Sequence, residues 1–171
     1  MKYQALKFYA EGKIDNFTQL IATHKNLMIF EDVKEAFENL IRHSEQAQSV
    51  KYLANTGLYM EDAFRNYFRA GHSDDEIRRL FTIFKENGSI SDLEKILSTC
   101  ISETPSTACY TRLADLYMEI NQKDKLRELL NNMVENKIKY NYVDMERYYS
   151  YLEDYKMVVE FSDQNVQDDI S

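Results

Sequence analysis

Apolar residues along this chain recur at intervals of three and four, not two. Val33, Phe37, Leu40 and Ile41 share one stripe, as do Ala63, Phe64, Tyr67 and Phe68, and then Ile77, Leu80, Phe81 and Phe84. Further stripes are Leu93, Ile96, Leu97, Cys100 and Ile101; Leu113, Leu116, Tyr117 and Ile120; and Leu126, Leu129, Leu130, Met133 and Val134. This is the spacing of amphipathic helices, and no segment reads as a sheet. Ser73–Glu76 and Ser91–Glu94 fit capping boxes, Thr104 stands before Pro105, and Asp15 and Asn141 are further candidate starts. Glu11-Gly12, Gly57, Gly71 and Asn87-Gly88 mark stops, where a left-handed residue closes a helix. Helices are predicted over 2–10, 15–26, 31–43, 46–56, 58–70, 74–87, 92–103, 107–120, 124–136, 143–152 and 155–161.

The stripes repeat. Ile77–Ile101 superposes without a gap on Tyr110–Val134 at an offset of 33, pairing Leu80 with Leu113, Phe84 with Tyr117, Leu93 with Leu126 and Leu97 with Leu130. Gly88 falls on Asn121, and both types suit a left-handed corner. Phe8–Ile21 joins the set after one gap, with Gly12 on Gly88, Phe17 on Leu93 and Ile21 on Leu97. A hairpin period in the low thirties predicts an all-α, right-handed α-solenoid of about five antiparallel helix hairpins. The expected organisation is a single helical-repeat domain over 1–161 followed by a flexible acidic tail over 162–171. Pairing is open before Gly71: either 31–56 is one long helix, or an odd helix interrupts the alternation.

The block Ala108–Tyr142 resembles a 35-residue pentatricopeptide repeat through Tyr110, Leu113, Asp115, Asp124, Glu128, Leu129, Met133, Ile138, Lys139 and Asn141. It is also similar to the looser tetratricopeptide pattern through Leu113, Ala114 and Tyr117. The resemblance covers roughly a fifth of the chain and implies stacked helix hairpins with a partner-binding groove. In RNA-reading members of that family, small polar residues at the fifth and last positions of the repeat contact a base. Arg112 and Tyr142 occupy those positions here, so base reading does not carry over. The following unit, Val143–Phe161, is truncated, with Glu153-Asp154 at its corner.

Composition narrows the class further. Hydrophobic residues make up 44% and aromatics 13%, which excludes wholesale disorder, while 4 Gly and 1 Pro are too few for a turn-rich β fold. No apolar run reaches membrane-spanning length and no signal-peptide core is present, so a soluble, cytoplasmic protein without membrane partner is expected. Two cysteines, Cys100 and Cys109, are too few for a disulfide framework and are expected to be buried.

Catalytic chemistry finds little support. His24, His43 and His72 show no zinc-helix spacing, and HExxH, CxxC and Gly-rich phosphate loops are absent from the sequence. Asp74-Asp75 and Asp168-Asp169 fit a helix start and a solvated segment better than an acid–base pair. No catalytic residue, metal, cofactor or small-molecule substrate is expected, and the chain reads as a non-enzyme.

Binding residues are easier to nominate. Arg65, Arg69, Arg78 and Arg79 form a basic group around His72, and with Arg112 and Tyr142 they are the candidate partner contacts. The competing interpretation pairs them with Glu61, Asp62, Asp74 and Asp75. Lys137, Lys139, Tyr140 and Arg147 interleave charge with tyrosines and are candidate RNA contacts, although such tyrosines also seal a final hairpin. A net charge of −8 disfavours wrapping RNA and favours basic protein segments. The expected function is therefore an adaptor, or a factor docked on a larger assembly through protein contacts. The alternative is an RNA- or ribosome-associated factor that occludes a functional site within a ribonucleoprotein. Packing alone yields one prediction: Leu129→Ala costs ~2–5 kcal/mol in chemical denaturation, and an unchanged midpoint removes that stripe from the core.

Overall fold

The computed structural model describes residues 1–24, 27, 29–42, 58–87 and 90–170. All regular structure among the described residues is helical: α1 (Lys2–Ala10), α2 (Ile14–Thr23), a 3-10 turn (Phe30–Asp32), α3 (Lys34–Arg42), α4 (Leu58–Arg69), α5 (Asp74–Asn87), α6 (Ile90–Glu103), α7 (Thr107–Glu119), α8 (Lys123–Glu135), α9 (Tyr142–Tyr151) and α10 (Tyr155–Ile170). No helix among them is long and apolar enough to cross a membrane. The expected helix 46–56, the stops at Gly57 and Gly88, His43, and the choice between pairings of 31–56 fall outside the described residues.

Two compact units divide the chain, Met1–Thr104 and Pro105–Ser171, where the sequence reading expects one domain over 1–161. Pro105, which lacks a backbone N–H, opens the second. In the first unit α1 packs on α2, α3 on α4, α4 on α6 and α5 on α6. Its core strings rings together: Tyr9 to Phe17 at 5.5 Å, Phe17 to Phe37 at 5.8 Å, and Phe64 edge-on to Phe84 at 5.7 Å. In the second unit α7 packs on α8, α9 on α10, and α7 on α9.

The 33-residue offset survives in the helix bounds, since α5 and α6 begin at 74 and 90 and α7 and α8 at 107 and 123. Within each unit, a different pair of next-but-one helices is in contact. Next-but-one packing joins α4 to α6, the second helix of its repeat, but α7 to α9, and α7 is the first helix of its own. The stripes are core almost throughout, and Leu93, Cys100, Leu116 and Leu126 are completely buried. Val134 is exposed at 42%, and Ile101 and Ile120 are half-buried.

Cap chemistry fixes where helices begin. Ser73 and Glu76 make the reciprocal box ahead of α5: the Glu76 amide donates to Ser73 Oγ at 3.2 Å, and the Ser73 amide to Glu76 Oε2 at 3.4 Å. Asn141 Oδ1 caps α9 by accepting from the Val143 and Asp144 amides. Three other expected starts shift. Ser91 lies inside α6, which begins at Ile90; Asp15 lies inside the first turn of α2; and Ser106, not Thr104, caps α7 by accepting from the Cys109 amide at 3.3 Å. The largest change is at the end. Residues 162–170, expected to be a flexible acidic tail, continue α10 as helix.

The ends of α7, α8 and α9 close by one device. Asn121, Lys137 and Glu153 adopt φ of 57°, 54° and 59°, and amides beyond each return to carbonyls of the last turn, as Asp154 N does to Tyr149 O at 2.9 Å. Gly12 (φ 72°) does the same after α1, with open space where a Cβ would point. The left-handed conformation strains any residue with a Cβ. Gly12→Ala is thus expected to destabilise, and Glu153→Gly to stabilise, each by about 1 kcal/mol net of unfolded-state entropy. Thermal denaturation checks both, and a lower Tm for Glu153→Gly contradicts the account.

Candidate interaction site

The basic residues nominated from sequence separate into distinct ion-pair sets. Within the first unit, Arg65 and Arg69 lie one turn apart on α4 and converge on Glu103 at the end of α6. Arg65 Nε is 3.0 Å from Oε1, and Arg69 Nε is 2.6 Å from Oε2. Arg65 also reaches Glu61 at 2.6 Å and Asp62 at 3.3 Å. Glu103 was not singled out in the sequence, because it stands 34 residues from Arg69 and only the α4–α6 packing brings it there. Arg78 turns to Asp75 at 2.8 Å on its own helix. With Arg79, Thr82 and Ile83 these two line an open depression of about 630 Å³.

His72 does not join this basic group. Its ring stands edge-on to Phe68 at 5.3 Å, with Nδ1 3.4 Å from Thr104 Oγ1 and Nε2 3.7 Å from Cys100 Sγ. It is a packing residue between α4 and α6. Nearby, the Tyr67 hydroxyl donates to Glu76 Oε2 at 2.6 Å, tying α4 to the cap of α5. That hydrogen bond, helped by the Ser73 amide and opposed by partial desolvation, holds the Glu76 carboxyl below its usual range.

In the second unit Asp115 of α7 is the hub. Arg147 of α9 approaches Asp115 Oδ1 at 2.9 Å, Arg112 approaches Oδ2 at 3.8 Å, and the buried Tyr148 hydroxyl donates to Oδ1 at 3.2 Å. Burial first, and the Asp115 charge second, push the Tyr148 phenol well above its ordinary range. Arg147 also lies 3.6 Å from Asp144 and over the Tyr148 ring. These contacts bridge α9 to α7.

The aromatic candidates serve packing. Tyr140 meets Phe161 edge-on at 5.5 Å, Tyr149 stacks on Phe161 at 5.5 Å, and the Tyr142 hydroxyl donates to Asp168 of α10 at 2.5 Å. Lys137 supplies the left-handed corner after α8, and the Lys139 carbonyl accepts from Thr107 at 2.5 Å. Tyr140 and Arg147 therefore engage the last hairpin, whereas Lys137 and Lys139 contribute backbone and leave their side chains exposed. A second open depression, about 450 Å³ on α8, is lined by residues including Asp124, Arg127 and Glu135.

No protein-family model, curated protein or solved structure matches this chain.

The Glu76 environment sets a pH dependence. Because its folded pKa is depressed, Glu76 adds stability at neutral pH that fades as pH falls through the carboxylate range to that folded value. Tyr67→Phe removes the main cause, so Glu76 is expected to titrate higher and acid unfolding to lose part of its steepness. A side-chain carboxyl NMR titration reads this directly; an unmoved Glu76 pKa contradicts it.

Proposed function

We propose that this chain is a non-enzymatic docking module, a cytoplasmic adaptor whose helix hairpins stack as a right-handed solenoid of the pentatricopeptide and tetratricopeptide type. In this reading it joins a larger assembly by accepting basic segments of a partner protein. The observation that carries the proposal is the internal use of its arginines. Arg65 and Arg69 are committed to Glu103, Arg78 to Asp75, Arg112 and Arg147 to Asp115, and Arg127 to Asp154. Exposed pairs of this kind contribute little to stability, on the order of 0–1 kcal/mol each. They do blunt the local positive fields that a phosphate backbone would need, in a chain whose net charge is −8. The α7–α9 packing supports the stacked arrangement, since first helices of successive hairpins line the groove of a helical-repeat array.

Fluorescence anisotropy on the purified full chain tests the proposal against RNA. The two probes are a labelled lysine- and arginine-rich peptide and a labelled uridine oligonucleotide, each titrated at low and physiological salt. Saturable peptide binding that weakens with salt, beside no RNA binding, is expected. Tight RNA binding with a steep salt slope, and no peptide binding, overturns it.

A further inference from the structure

The face of α10 turned away from its hairpin partner carries the strongest unexplained feature of the second unit. Phe161 is the buried residue of this helix, packed on Tyr140 and Tyr149. On the opposite side stand Tyr155 (66% exposed), Val159 (58%), Val166 (55%) and Ile170 (82%). At about 100° per residue these four fall within an arc of about 60°, and they extend over about 22 Å of helix. They form two apolar pairs on one face over four turns, spaced by four, seven and four residues, with Ser162 and Asp163 at the turn between the pairs. Spacings of four and seven keep the residues on one helix face, the arrangement by which anchors meet a facing helix. Outer helices of repeat arrays ordinarily present polar faces to water, and this one does not.

Charge selects the occupant. Asp163 and Asp169 flank the stripe on its two sides, and α10 carries Glu160, Asp163, Asp168 and Asp169 against a single Lys156. A second copy of the same helix would set these acids against one another, whereas a helix with lysines or arginines beside its apolar seam would pair with them. We infer that this outer stripe of α10 docks a basic amphipathic helix of a partner protein. The inference rests on the docking role proposed above and assigns its site.

The test uses the full chain and, as probe, a fluorescent amphipathic peptide of leucine and lysine with leucines at helical seam spacing; a scrambled peptide of equal composition is the control. The seam peptide is expected to bind and the scrambled one not. Val159→Ser combined with Val166→Ser is expected to weaken binding about tenfold or more, and Asp163→Lys combined with Asp169→Lys to reduce its salt dependence. Both pairs are solvent-exposed, so circular dichroism should report an unchanged Tm. Seam-peptide binding unaffected by the valine substitutions overturns this site while leaving the docking role standing. No binding of either peptide by the wild-type chain overturns both. A wild-type dimer in sedimentation equilibrium that the valine substitutions dissolve assigns the stripe to a second copy and overturns the basic-partner assignment.

Discussion

The described helices run from nine to sixteen residues, lengths at which an isolated helix is marginal in water. Each has one apolar stripe and cannot cover that stripe by itself, so helix formation and tertiary packing are the same event here. This dependence explains why the polar chemistry is concentrated at helix ends and crossings. Caps at Ser73, Ser106 and Asn141 and left-handed corners at Gly12, Asn121, Lys137 and Glu153 fix the angles at which stripes meet. Carboxylates such as Glu103 and Asp115 then join helices whose stripes have already been brought together.

Periodicity made most of this legible. The stripe from Phe64 to Phe68, or from Leu126 to Met133, has one period and one direction, and the structure buries it. What periodicity does not carry is the choice among neighbours. The 33-residue repeat equates α5 with α7 and α6 with α8, yet the next-but-one contact uses the second helix in one unit and the first in the other. Tertiary fit between particular side chains decides that, and a pattern of apolar and polar positions is blind to it. The same limit hid Glu103, whose partners lie more than thirty residues away. Residues 162–170 hide their helix for another reason. Their acids and amides read as solvated chain, while the sparse Val166 and Ile170 continue the seam begun by Tyr155 and Val159.

Surface electrostatics follow from the packing. An arginine drawn to a carboxylate across a helix crossing both orients the crossing and withdraws positive field from the surface. Repeated at Glu103, Asp115 and Asp154, this leaves these arginines internally engaged in a chain of net charge −8. The tyrosines are used likewise: Tyr140, Tyr148 and Tyr149 close the final hairpin, so their number reflects a need for wide rings with one polar end. Arg65, Arg69, Arg147, Tyr140 and Tyr142 thus join one helix to another, and an exposed apolar face remains on α10.

The central claim is that the stripes of α7, α8 and α9 belong to one shared core and are not stable separately. Site-resolved amide hydrogen exchange on the full chain, comparing wild type with Leu126→Ala, tests this directly. The account predicts that the slowest amides of all three helices lose protection by the same free energy, because they open together. Loss confined to α8, with α7 and α9 unmoved, would contradict it.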